Sequence, residues 1–155
     1  MSRENTVTYY RIINETVKER LGIPIIHIAD ATADALLNAD IKTAALLGTK
    51  YTMLREFYKE RLEKRGITVL IPNGDDIETV NRVIYDELCR GAVLPTSQKE
   101  YVRIIGALKQ RGAQCVILGC TEIGMLVNEE CSPLPVFDTT VIHAEKAAYL
   151  SIKDQ

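Results

Sequence analysis

From Thr6 to Leu21 the apolar residues Tyr9, Tyr10, Ile13 and Val17 recur every three to four positions, which places them on one face of a helix. Asn5 or Thr6 is available to cap its start and Gly22 to stop it. A β-branched run from Ile23 to Ile28 then reads as a strand, and Ala31 to Ala39 has the composition of a helix. The alternation continues with a strand at Lys42 to Leu47, a helix from Tyr51 to Lys64, a strand at Ile67 to Ile71 and a helix from Ile77 to Cys89. A loop around Gly91 to Thr96, interrupted by Pro95, precedes a helix capped by Ser97 and ending near Gln110. Gln114 to Leu118 and Leu134 to Phe137 are the last strands, and Thr139 to Ile152 the last helix. Strands that are apolar on both faces and separated by helices imply an α/β fold, a parallel sheet covered on both sides in a three-layer sandwich.

In such sheets ligands gather beyond the carboxyl ends of the strands, here Asp30, Gly48 and Thr49, Gly119 to Thr121, and Asp138 and Thr139. Cys120 stands out among them. Gly119 before it permits an unusual turn or a close approach, and a short helix opened by Thr121 and Glu122 would offer free N–H groups to a thiolate and to a substrate carboxylate. A buried structural thiol is the competing reading, and residue chemistry alone leaves both open. Cys115 lies on the same strand, roughly 16 Å away and of opposite parity, so it does not face the same substrate. Cys89 reads as packing near a helix end and Cys131 as an incidental loop residue. His143 reads as a capping or packing residue of the last helix, and His27 as a satisfied core histidine on a strand.

Composition narrows the function classes. The 155 residues, 46% hydrophobic, suffice for one ordinary core. Nineteen basic and 21 acidic residues are spread along the chain, leaving a net charge of −2 and no basic block to follow a phosphate backbone, so nucleic acid is not an expected partner. The apolar runs fall short of the roughly 20 residues of a membrane-spanning helix, and Met1 is followed by polar residues, so a cytoplasmic location without membrane association is expected. There the four cysteines are expected to be reduced. Two widely separated histidines and the lack of a Cys-x-x-Cys pair argue against a metal site. No Gly-rich phosphate loop or lysine-centred cofactor motif is visible, and no cofactor is expected.

Val116-Ile117-Leu118-Gly119-Cys120-Thr121-Glu122-Ile123 resembles the second catalytic cysteine motif of the aspartate/glutamate racemases that work without pyridoxal phosphate. Ala44 to Thr49 with Tyr51-Thr52-Met53, Pro135 to Thr140 with Ile142 to Glu145, and Met1-Ser2, Thr6 and Tyr9 to Arg11 resemble further parts of that family, so the likeness spans nearly the whole chain. It implies two similar α/β lobes with one catalytic residue from each. Residues 1–41 would be the remnant of a first lobe (helix, strand, helix), 42–133 a complete second lobe, and 134–155 a terminal strand and helix returning to the first. The family's first-lobe motif, Cys-Asn-Thr or a Thr-containing variant, occurs nowhere in the 155 residues.

The resemblance implies racemisation of aspartate or glutamate by thiol-mediated proton transfer at Cα, with Cys120 serving one face and the activity impaired for want of the first-lobe motif. It assigns Thr121, Thr49 and Thr52 to carboxylate or ammonium contacts and Ser2 to a contact from the first lobe. Thr121, Thr49 and Thr52 also read as caps at helix starts, and Arg90 is a candidate for the side-chain carboxylate. A homodimer acting on a small acidic amino acid is the expected assembly. Two alternatives stay open. One is a single-cysteine decarboxylase or isomerase of the same superfamily. The other is a non-catalytic remnant that binds an acidic metabolite or oligomerises through bare sheet edges.

Overall fold

The computed structural model describes Ile12, Thr16 and residues 26–153. Ser2, the expected strand positions 23–25 and the rest of the expected first helix lie outside the described residues. Four strands form one parallel sheet: β1 (Thr43–Leu47), β2 (Thr68–Leu70), β3 (Cys115–Leu118) and β4 (Val136–Asp138), in the order β2-β1-β3-β4. The helices are α1 (Ile28–Asn38), α2 (Lys50–Leu54), α3 (Glu56–Glu63), α4 (Gly74–Asp86), α5 (Pro95–Gln110) and α6 (Thr139–Lys153). Short 3₁₀ turns at Leu88–Arg90 and Ile123–Met125 complete the described elements.

Alternate residues of β1 and β3 enter separate cores, as the period of two in a strand demands. Ala45, Leu47, Val116 and Leu118 pack with Ile77, Val80, Val83 and Ile84 of α4 and Tyr101, Ile104, Ile105 and Leu108 of α5. Ala44, Leu46, Cys115 and Ile117 pack on the other face with Ala29, Ala33 and Leu36 of α1 and Tyr58 and Leu62 of α3. The expected α/β sandwich is therefore present in residues 26–153. β4 belongs to the same sheet, and α6 packs against α1.

Several boundaries differ from the sequence expectation, each for a local reason. Ile28 opens α1 rather than ending a strand, because His27 Nδ1 accepts the Ala29 N–H at 3.2 Å and caps the helix. His27 is thus a half-buried cap, and burial together with the nearby Arg61 lowers its pKa. The expected helix from Tyr51 to Lys64 is two helices, parted at Arg55, whose backbone is extended (ψ 144°) while its guanidinium sits over the Tyr51 ring. α4 starts at Gly74, three residues earlier than expected, with Asp75 and Asp76 in the first turn where the helix dipole favours them. It stops at Asp86, and the 3₁₀ turn that follows ends at Gly91 with positive φ. Pro95 does not interrupt a loop but opens α5, since a first-turn residue needs no donor. Ser97 is not the cap: its hydroxyl donates to the buried Glu87 carboxylate, which Arg82 also pairs with.

β1 and β3 start together because Gln114 Oε1 accepts the N–H groups of Lys42 and Thr43, at 2.7 and 2.9 Å. β3 begins at Cys115 and β4 is shifted to Val136–Asp138. Val116 N–H donates to Pro135 C=O, so the N–H of Val136 points away from β3. Glu129 Oε1 accepts it at 3.0 Å.

Candidate active site

The chain steps from β1 to β2 on one side and later places β3 on the other, so the order in which the parallel strands are added reverses between β1 and β3. The carboxyl ends of those two strands form the switch point where such sheets bind ligands. Leu47 pairs with Leu118 there, and the next residues are Gly48-Thr49 and Gly119-Cys120. The fit is close: Gly119 N–H donates to Leu47 C=O at 2.7 Å. A Cβ on Gly119 would lie 3.0 Å from that oxygen and 3.0 Å from Leu46 Cδ1, and one on Gly48 would lie 3.1 Å from Thr52 Cβ. Neither strand end has room for a side chain, and glycine lets the Thr52 side chain lie against the Gly119 backbone.

The site brings Thr49, Thr52, Cys120 and Thr121 to the same end of the sheet. Thr49 Oγ1 caps α2 by accepting the Thr52 N–H at 3.2 Å, and the two hydroxyls are 3.1 Å apart. Thr49 therefore has the capping role the sequence offered as an alternative, and its hydroxyl orients that of Thr52. Thr121 is exposed. Arg90 is exposed on the 3₁₀ turn, 4.0 Å from Asp86.

Cys120 is half-buried, and its Sγ donates to Glu122 Oε2 at 2.9 Å. Burial, then this bond and the carboxylate charge, push the thiol up to about 11, with Cys89 adding to the rise; the Glu122 N–H acts in the opposite sense and is outweighed. This corrects the expectation of a thiolate held by a helix start. The turn after Cys120 is a three-residue 3₁₀ piece, and the Ile123 N–H is spent on Cys120 C=O. Accepting from Cys120 and Thr121 holds the Glu122 carboxyl below its ordinary range.

The remaining cysteines and histidines separate cleanly. Cys115 is fully buried in the opposite core, and burial pushes its thiol up to about 12. Cys131 packs into its own loop, its sulfur 3.4 Å from the Asn128 N–H. Cys89 is not core packing: it is exposed and lies within electrostatic reach of Cys120. His143 Nε2 bonds to Ile26 C=O at 2.9 Å and ties α6 to the start of α1. The sequence reading took Glu122 only as part of a helix start and Cys89 as packing, and did not single out Tyr101; the structure sets all three near Cys120. For Glu122 a signal existed, since two positions across a tight turn bring side chains together, whereas Cys89 and Tyr101 arrive from distant segments. A hollow of about 410 Å³ opens on the β4 side of the β3 end, lined by Leu118, Gly124, Val136, Phe137, Val141 and Ile142 among others. Among the described residues no group of three His, Cys, Asp or Glu side chains is placed to hold a metal ion, and no helix is long and apolar enough to cross a membrane.

The described residues thus form an α/β fold whose parallel sheet carries a cysteine just beyond its switch point. Comparison with known proteins makes this specific: residues 9–147 match the Asp/Glu/Hydantoin racemase family, and the chain belongs to it. A crystal structure from Yersinia pestis, of a protein proposed to be an Asp/Glu racemase, is 47% identical with a TM-score of 0.82, covering 89% of this chain and 60% of that one. An aspartate racemase homologue from Pyrococcus horikoshii is 33% identical with a TM-score of 0.80, covering 92% of this chain and 62% of that one. The chain thus spans about three fifths of the length of these solved relatives. An uncharacterised protein from the pnlA 3′ region of Pectobacterium carotovorum subsp. carotovorum is 25% identical, covering 77% of this chain and 78% of that one.

Proposed function

We propose that this site moves a proton at Cα of aspartate or glutamate, with Cys120 as the acid/base group on one face and no cofactor. The observation that supports the reading is the position of Cys120 just beyond the β1/β3 switch point, at the same end of the sheet as the Thr49–Thr52 hydroxyl pair. The Cα proton of an amino acid is very weakly acidic, so the charge that develops on deprotonation must be held by hydrogen-bond donors as it forms. Thr52 and Thr121 are assigned to the substrate's α-carboxylate or ammonium, with Thr49 orienting Thr52. Ser2 keeps its assignment from the family resemblance as a further contact. We take the working form to be a cytoplasmic homodimer.

Racemisation needs one group on each face of the substrate. Cys120 fills one role, and the sequence holds no Cys-Asn-Thr motif for the other. Losing one acid/base group costs about two to four orders of magnitude in rate, so the expected activity is slow and Cys120-dependent. The test is Cα–H exchange of L- and D-aspartate and glutamate in deuterated water, followed by NMR on the parent and Cys120→Ser. Exchange with inversion means that a second base is supplied. Exchange without inversion means that Cys120 works alone, and equal rates in parent and variant sink the proposal.

A further inference from the structure

We propose that Glu122 is a positioning residue that holds Cys120 as a thiol, so that the resting site offers Cys120 as proton donor, once its S–H turns from Glu122 to the substrate, rather than as proton acceptor. The donor role rests on the function proposed above; the thiol-holding role does not. The geometry is direct. Sγ and Glu122 Oε2 are 2.9 Å apart, and the S–H is spent on that oxygen. A cysteine poised as a base is normally surrounded by groups that favour its anion. Here the nearest group is a carboxylate, which accepts from the thiol and repels the thiolate.

The other titratable groups around Cys120 come from two further elements. Cys89 approaches from the 3₁₀ turn and disfavours the thiolate. Tyr101 approaches from α5, its hydroxyl donating to Val80 C=O at 2.9 Å, and the Glu87–Arg82 pair acts on Tyr101 in turn. Tyr101 is itself held protonated by burial first and by Cys120 and Glu87 next. Glu122 therefore bonds the thiol directly and Cys89 acts on it through space, while Tyr101 is acted on by Cys120.

The step follows from this arrangement. A second base on the far face of the substrate, a thiolate or carboxylate, takes the Cα proton. The Cys120 S–H bond then breaks as a new C–H bond forms, and sulfur keeps the electron pair. The thiolate left behind faces the Glu122 carboxylate, which favours its return to the thiol: sulfur takes a proton from solvent as the second base releases the one it took from Cα, and the resting site is restored.

The test needs no substrate. The intact chain is alkylated with iodoacetamide from pH 7 to 11, and each cysteine is quantified by peptide mass spectrometry in the parent, Glu122→Gln and Glu122→Asp. Since only the thiolate reacts readily, removing the carboxylate is expected to lower the midpoint of the Cys120 profile by about one pH unit and to speed its alkylation about tenfold at pH 8.5. Cys131 should be unchanged, and Glu122→Asp, which keeps the charge, should return most of the midpoint toward the parent. Easier access alone would raise rates without moving the midpoint, so an unmoved or raised midpoint in Glu122→Gln overturns the inference. A lowered midpoint supports it even where the exchange experiment shows no proton transfer, which separates its failure from that of the racemase reading.

Discussion

Replacing Gly119 by alanine tests whether the two strand ends are as tightly joined as their contacts imply. The new methyl would lie 3.0 Å from Leu47 O, 3.0 Å from Leu46 Cδ1 and 3.5 Å from Thr52 Cγ2. Leu46 can adjust its rotamer, but the Leu47 oxygen is backbone and already accepts the Gly119 N–H at 2.7 Å. Relief requires the ends of β1 and β3 to separate by a few tenths of an ångström. Overpacking of this kind costs about 1–3 kcal/mol, and weakening the Gly119–Leu47 bond adds up to about 1 kcal/mol. The smaller entropy of an unfolded chain with alanine returns about 0.4–1 kcal/mol. The net loss is about 1–3 kcal/mol, which at a urea slope of about 2 kcal/mol/M lowers the midpoint by about 0.5–1.5 M. Gly106 within α5 is the control, because a Cβ there meets nothing within 4 Å. Gly106→Ala should raise the midpoint, as alanine is the better helix former by about 1 kcal/mol. A Gly119→Ala midpoint equal to or above the parent's, at unchanged slope, would refute the argument.

Two further outcomes follow from the buried groups. Cys120 and Cys115 are raised from 9.0 to about 11 and about 12, and Tyr58 from 10.0 to about 12, all chiefly by burial. Each binds its proton more tightly folded than unfolded, so its contribution is complete below pH 9 and is lost as pH rises toward 12. Urea midpoints should accordingly fall between pH 9 and 12, and Cys115→Ala should flatten that fall; a flat parent profile would contradict the burial argument. Ser97→Ala removes one of the two partners of the buried Glu87 carboxylate and should cost about 1–3 kcal/mol by thermal or urea unfolding. If Ser97 instead acted as a helix cap, a Ser97→Asp change would preserve stability, whereas a second carboxylate facing Glu87 should destabilise further.

The alternation of apolar runs and helical segments carried the sheet, because β1 and β3 are buried on both faces and, Thr43 aside, their sequences are apolar. The opposite parity of Cys115 and Cys120 was legible for the same reason. What escaped were features decided by side chains rather than by periodicity. His27 caps a helix where a β-branched run suggested a strand, and Pro95 starts a helix where it suggested a break. At the site, Cys120 and the Thr49–Thr52 pair stood in recognisable positions after strands. The protonation of Cys120 did not, because it depends on where the Glu122 carboxylate turns and how deeply the sulfur is covered. Tyr101 and Cys89 reach Cys120 only through the packing of α5 and the 3₁₀ turn, which no local pattern encodes.

The Glu129 carboxylate on the Val136 N–H bears on what the start of β4 offers to another strand. A terminal strand with free donors is a template on which another chain can extend the ladder, the route by which sheets aggregate. Here the outward donor at the start of β4 is already occupied from within the chain. An incoming strand would have to displace a charged acceptor before forming its first bond. Among the described residues, extension of the ladder at the start of β4 is therefore resisted from within the chain, by a charge placed where a new strand would dock.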